Sequence, residues 1–388
     1  MSNVDDANTP EARERHANNL ELFLDLVFVF AVTQIATLIG TDLSASNLGK
    51  GALIAALVWW QWSQFTWTGS ALDLQQGAVT RALVLGTIPA ALTMAISIPL
   101  SFAHSGAWFG FAYLSVQLLV LGMMASASLA TAETRASFIR YGSAAALAPV
   151  IVAVGGLTNG NVRVALWCLA MAMNVFGALR GAGGQWVINP VHFAERHALF
   201  IIISLGEALV AIGATATTAG LSAKTFAGIL ATATVASLLW WMYFSFIPVV
   251  AEHQLRVTSG ATRGVIARDL FTFGHFPIVA GIISYAVVAK HVVAHPLDAL
   301  HAPDRVLLAI AITLIIGGLL HMQWRVVRRL APERIAAIAA IALLTPLGYA
   351  INAVAVVAIT AVVIASTQAV TLRRYSKDPF VPLDDPPS

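Results

Sequence analysis

The chain is poor in charge and has almost no cysteine. Charged residues make up 11% of its 388 positions, against roughly 25% in soluble domains, which excludes an ordinary solvated globular surface. The single cysteine, Cys168, lies inside an apolar run. That excludes an intrachain disulfide and any Cys-x-x-Cys redox or zinc motif. No Gly-x-x-x-x-Gly-Lys phosphate loop, Gly-x-Ser-x-Gly elbow or His-Glu-x-x-His pair occurs, so nucleotide-driven pumping and hydrolase chemistry lack their usual anchors. Residues 1–19 carry Asp5, Asp6 and Glu11 without an apolar centre and do not read as a cleaved signal peptide.

Long apolar runs are abundant. Hydrophobic residues fill 58% of the chain and the mean hydropathy is +0.79, the composition of an all-α, polytopic integral membrane protein. Runs long enough to cross a ~30 Å hydrocarbon layer are expected at 20–40, 49–71, 80–101, 107–130, 137–157, 162–180, 194–214, 223–249, 266–289, 305–324, 333–349 and 352–372. The last two are separated only by Thr345-Pro346-Leu347-Gly348-Tyr349, and one kinked element is the competing reading there. If the loops alternate sides, Lys50, Arg163, Lys224, Lys290 and Arg305 fall on one side and the other 17 of the 22 Lys and Arg residues on the opposite side. Positive charge accumulates in cytoplasmic loops, so both termini are expected in the cytoplasm and the chain in the inner (plasma) membrane. The net charge of +3 then reflects this bias and not a nucleic-acid-binding stripe. The lipid bilayer is the expected partner, and neither a nucleic acid nor a cofactor is expected.

The two halves resemble one another. Leu57-Val-Trp-Trp-Gln-Trp-Ser-Gln-Phe65 parallels Leu238-Leu-Trp-Trp-Met-Tyr-Phe-Ser-Phe246, Arg81 with Gly86 and Pro89 parallels Arg268 with Gly274 and Pro277, and Glu21 parallels Glu195. The matches keep their order along the chain, which predicts two parallel six-helix repeats, 20–181 and 182–372, flanked by tails 1–19 and 373–388.

Four stretches also carry a family likeness. Glu21-Leu-Phe-Leu-Asp25-Leu-Val-Phe-Val-Phe-Ala-Val-Thr-Gln34, Glu195-Arg-His-Ala-Leu-Phe-Ile-Ile-Ile-Ser-Leu-Gly-Glu207, Trp240-Trp-Met-Tyr-Phe244 and Gly274-His-Phe-Pro277-Ile-Val-Ala-Gly-Ile282 resemble signature stretches of the bacterial low temperature requirement A family. The likeness runs from about Leu20 through the ninth run and fades toward the C-terminus. That family takes its name from a cold-growth phenotype, so the resemblance implies a membrane protein and not a particular reaction. Ser245 stands where the family often has Asp, and Gln117 where it often has Arg.

Ionisable residues inside apolar runs are costly, and by default they mark an ion, proton or substrate path. Glu207 sits near the middle of its run, and Glu21 and Asp25, spaced i, i+4, share one helix face and demand a cation, a proton or a basic partner. The alternative is that they merely favour a helix N-terminus at the interface. Arg196 and Glu207 share a face about 16 Å apart, so each needs a partner on another helix. The repeat nominates Arg268 and His275, and a Glu207–His275 pair would suit a proton relay or a static packing bond. Glu207 and His275 are expected to face one polar cavity between the two halves, with Glu21, Asp25, Glu195, Arg196 and Arg268 lining its cytoplasmic approach and His197 and Asp73 as further candidates for the pathway. The aromatic set Trp59, Trp60, Trp62, Phe65 and Trp67 reads as a packing surface and interfacial belt. His291, His295, Asp298, His301 and Asp304 crowd one outer loop but read as solvated, with Pro296 ending any helix, so no metal site is expected. The preferred function is a proton- or ion-coupled secondary transporter of a small solute. The alternatives are an intramembrane enzyme acting on a lipid or isoprenoid, and a membrane sensor or scaffold.

Overall fold

A computed structural model describes residues 15–75, 77–128, 131–181 and 183–375. Most of the expected N-tail, the C-tail beyond Tyr375 and Lys377 lie outside these residues. The chain order is α1 (Asn19–Gly40), α2 (Ala45–Ala71), α3 (Ala78–Ser97), α4 (Gly106–Ser128), α5 (Ala132–Ala145), α6 (Ala148–Gly156), α7 (Gly160–Gly181), α8 (Pro190–Ala219), α9 (Ala223–Phe244), α10 (Ile247–Val257), α11 (Gly260–Ile266), a π-helical stretch (Ala267–Phe273), α12 (Gly274–Ala294), α13 (Ala302–Val327), α14 (Pro332–Leu347) and α15 (Ala353–Tyr375). Local chemistry sets many of these starts. Asn18 caps α1 in a reciprocal box with Glu21, Ser44, Asn189 and Ser222 cap α2, α8 and α9 through their side chains, and proline opens α8, α13 and α14, where its missing N–H costs nothing.

Ten helices among the described residues are long and apolar enough to cross a membrane. The twelve runs read from sequence therefore reduce to ten on this measure: the second and the fifth drop out. The fifth is divided into α5 and α6, with Pro149 in the first turn of α6. The second is α2, whose buried residues include Gln61, Ser63, Gln64, Thr66, Thr68 and Ser70 beside four tryptophan-region aromatics. It is too polar for lipid because protein surrounds it: α1, α4, α7, α8 and α12 all pack against it. The last two runs are separate helices, with the break beginning at Gly348. The start of α15 is held by its Ala353 and Val354 N–H groups, which donate to Asp298 and Pro296 carbonyls in the α12–α13 loop.

Large apolar side chains such as Val79, Val210, Leu343 and Val362 stand exposed on the outer faces, as suits a surface bathed in hydrocarbon. The core lies where α1, α2, α8 and α12 meet, with α12 also packed along α13. The paired tryptophans differ in setting: Trp59 and Trp60 are buried at 4% and 1% exposure, whereas Trp240 and Trp241 are 47% and 43% exposed.

Candidate functional site

Along α1, Glu21 and Asp25 stand one turn apart on the face turned to α8, and α8 answers with His192 and Arg196 at the same spacing. His192 Nε2 lies 3.0 and 2.9 Å from the two Glu21 oxygens. Arg196 grips Asp25 with both terminal nitrogens, Nη1 2.5 Å from Oδ2 and Nη2 2.8 Å from Oδ1. Both contacts join residues 171 positions apart, which fixes α1 and α8 parallel and in register. The Trp62 indole N–H donates to Asp25 Oδ1 at 2.9 Å, and the Arg196 guanidinium stands 5.8 Å from the Trp62 ring centre. Glu21 also accepts the Asn18 N–H at 3.1 Å. Gly69 of α2 leaves room for it, since a Cβ there would lie 2.2 Å from Glu21 Oε1. Glu21, Asp25 and Arg196 have no exposed surface and His192 only 2%. Charges so deep persist because each is paired and hydrogen-bonded.

Beside this ladder, at the residue that follows Arg196, two imidazoles meet. His197 and His275 have ring centres 5.0 Å apart, and both are 1% exposed. His197 Nδ1 is 2.8 Å from the Phe193 carbonyl, and His275 Nδ1 is 3.0 Å from the Leu270 carbonyl. A carbonyl only accepts, so both Nδ1 atoms carry hydrogen, and in the neutral rings each Nε2 presents a lone pair. His275 Nε2 takes the Tyr243 hydroxyl at 2.8 Å, while His197 Nε2 is buried with no partner. Trp59, Trp62, Phe193 and Phe271 wall in the pair.

The π-helical stretch before α12 turns this wall into a joint with α2. Its wider winding misaligns the ordinary backbone ladder, and the Thr272 carbonyl accepts the Trp59 indole N–H at 2.8 Å. The Thr272 hydroxyl meets Ser63 at 3.0 Å and the Trp67 indole at 3.0 Å.

The residues nominated from sequence divide into two groups. Glu21, Asp25, Arg196, His197 and His275 come together. Glu207 does not join them: it is half-buried, no hydrogen bond or ion pair to it occurs among the described residues, and it stands ten residues, about 15 Å, beyond His197 along α8. The expected Glu207–His275 pair is therefore replaced by the His275 bonds to Tyr243 and Leu270. Glu195 holds the N-terminal segment, accepting the Ala17 N–H at 2.8 Å with His16 at 3.2 Å. Asp73 accepts the Gln75 N–H at 3.0 Å and shapes a turn. Arg268 pairs with Asp269, which also holds Arg325. In the outer loop, His291 bonds Asp304 and His295 lies 3.4 Å from Asp298, and no group of three or more potential metal ligands occurs among the described residues. Sequence reasoning missed His192 and Thr272, took Trp62 only as part of a packing surface, and gave Tyr243 no role beyond a family-like stretch. A signal existed for the first, because His192-x-x-x-Arg196 repeats the spacing of Glu21-x-x-x-Asp25.

Residues 16–369 match the family described as bacterial low temperature requirement A protein. The chain is 33% identical over 290 residues to an uncharacterized protein of Rhizobium meliloti (strain 1021), across 71% of this chain and 69% of that one. No solved structure matches it.

Proposed function

We propose, from the premise that the chain belongs to the bacterial low temperature requirement A family, that it is a proton-coupled secondary transporter of a small solute in the bacterial inner membrane. The observation that carries this reading is the unpartnered His197 Nε2 lone pair, buried beside His275 and one residue from Arg196. A proton arriving there would create a second cation next to the Arg196 guanidinium, which Asp25 alone neutralises. Both cations ride on α8, so moving that helix does not part them; the added charge is favoured only where His197 Nε2 gains an acceptor or water, and a shift of α8 that supplies one couples protonation to helix position.

Twelve crossings with both termini cytoplasmic fit the way the loops associate. Loops expected outside touch each other: Lys50 stands 5.5 Å from the Phe102 ring centre, Arg163 donates to Ser101 and Ala103 carbonyls, and Ala353 donates to Asp298. At the other end Asn189 N–H donates to Ser70 Oγ and Ala17 N–H to Glu195. A two-fold repeat is supported by helix neighbours: α1 packs on α2 and α3 as α8 packs on α9 and α12, and α3 packs on α4 as α12 packs on α13. Pro89 and Pro277 lie inside the corresponding helices. The unequal burial of the two tryptophan pairs argues against residue-for-residue equivalence in α2 and α9.

Reconstitution into sealed liposomes holding a pH-sensitive dye tests the reading. Addition of a transported solute should drive proton entry, and His197→Phe, which keeps a ring in the aromatic box, should abolish proton entry while solute exchange continues. Solute exchange by the parent protein that never moves protons would remove the coupling, and no exchange of any solute would remove transport itself.

A further inference from the structure

A second polar cluster, made only of uncharged groups, lies in the first half between α2, α4 and α7. Gln61 and Gln117 are 0% exposed, Asn174 1% and Gln64 5%. Gln61 Nε2 donates to the Tyr113 carbonyl at 2.6 Å, and Asn174 Nδ2 lies 3.3 Å from the Tyr113 hydroxyl. Beyond those bonds the amides are unmet: Oε1 of Gln61, Oε1 of Gln64, Oδ1 of Asn174 and both ends of Gln117 have no partner. Helices α2 and α4 run parallel, since Gln61 meets Tyr113 while Ala71 and Ala127 line one small cavity further along. Gln64 and Gln117 are each about one turn beyond the Gln61–Tyr113 contact and so come level. Unmet amides in a bundle core are costly, and a group of them on three facing helices points to something that binds there.

The cluster has a mouth. Gln64 also lines a cavity together with Trp60, Trp67, Tyr141, Trp186 and Arg268. The indole N–H of Trp60 and the Tyr141 hydroxyl are both buried there without a hydrogen-bond partner. Four of the five unmet amide atoms are acceptors, so the occupant must be rich in donors. An ammonium donor would need an acid nearby, yet the charged side chain lining this cavity is Arg268, already paired with Asp269. Hydroxyl groups donate and accept without charge, and their carbon skeletons pack on aromatic faces.

We infer that the buried amide cluster of Gln61, Gln64, Gln117 and Asn174, approached from the aromatic cavity that Gln64 lines, binds a small uncharged polyhydroxylated solute. This deepens the transporter reading by assigning its substrate class, and it rests on that reading only for movement of the solute, not for binding.

The test is equilibrium binding of radiolabelled sorbitol to the full-length protein in lipid nanodiscs, with erythritol and tetramethylammonium as competitors. Saturable sorbitol binding is expected, displaced by erythritol and not by tetramethylammonium. Gln117→Leu should weaken it at least ~10-fold without lowering the melting temperature, because the side chain removed had both polar ends unmet. Gln64→Met gives the same reading should Gln117→Leu fail to fold. Three results would overturn the inference: no saturable polyol binding, displacement by tetramethylammonium, or sorbitol affinity unchanged in the folded variants. Binding that survives while liposome uptake fails would instead remove the transporter reading and leave the site standing.

Discussion

Asp25 and Arg196 form the most exacting pair in the molecule, because each is buried without exposed surface and neither tolerates the loss of the other. Asp25→Asn leaves a buried guanidinium with no counter-charge and should cost ~3–5 kcal/mol, whereas replacing both with apolar side chains of similar volume should recover much of that loss. Thermal unfolding in detergent measures both, and an Asp25→Asn protein that melts with the parent would show the pair to be open to water. Gly69→Ala tests the neighbouring rung: its Cβ would fall 2.2 Å from Glu21 Oε1, so it should break the His192 contact. Combined with Glu21→Gln it should add much less than the sum of the two single effects, since both act on one bond. The acidic half of this ladder was legible, since an i, i+4 pair of carboxylates in an apolar run demands a basic partner. Its depth was not. Sequence places Glu207 and His275 on helix faces but does not say at which level neighbouring helices meet, and that level separates them.

At the scale of elements, α2 and the connection around Arg163 show what hydropathy hides. Helix α2 can carry so many polar side chains because its neighbours, not lipid, receive them. Composition made four of the first half's six expected runs legible as spans, but it missed the division of the fifth into α5 and α6 and could not say which helix would be interior. The π-helical stretch Ala267–Phe273 was invisible for a different reason: a wider backbone winding leaves no periodic trace in seven residues. Arg163, legible only as one of the few outward cations, is 3% exposed. It donates to the carbonyls of Ser101, Ala103, Gly156 and Thr158, tying the α3–α4 connection to the end of α6. Arg163→Met should therefore lower stability by about 1.5–3 kcal/mol, the range for hydrogen bonds that involve a charged group. Gly106→Ala should produce a related loss, its Cβ standing 2.3 Å from the guanidinium carbon. Melting temperatures of the two variants and of their combination decide whether they act on one feature.

For the whole molecule, sidedness is the first quantity to establish. In a Cys168→Ser background, Leu297→Cys lies in the α12–α13 loop and Leu330→Cys in the α13–α14 loop, both well exposed. A membrane-impermeant maleimide should label position 297 in intact cells and position 330 only after the membrane is opened; labelling of both, or of neither, in intact cells would end the alternating arrangement. The ladder between α1 and α8 carries a further meaning for how such a molecule is made. Its acidic rungs are synthesised 171 residues before their partners, a wait of roughly 9–34 s at ribosomal speeds of about 5–20 residues per second. Throughout that interval the first helix holds two carboxylates that the bilayer penalises and that lack the basic partners they have in the folded protein. The helix must therefore stay protonated or near the headgroups until α8 emerges, so a ribosome stalled before His192 leaves an unmatched acidic segment for the insertion and quality-control machinery to handle.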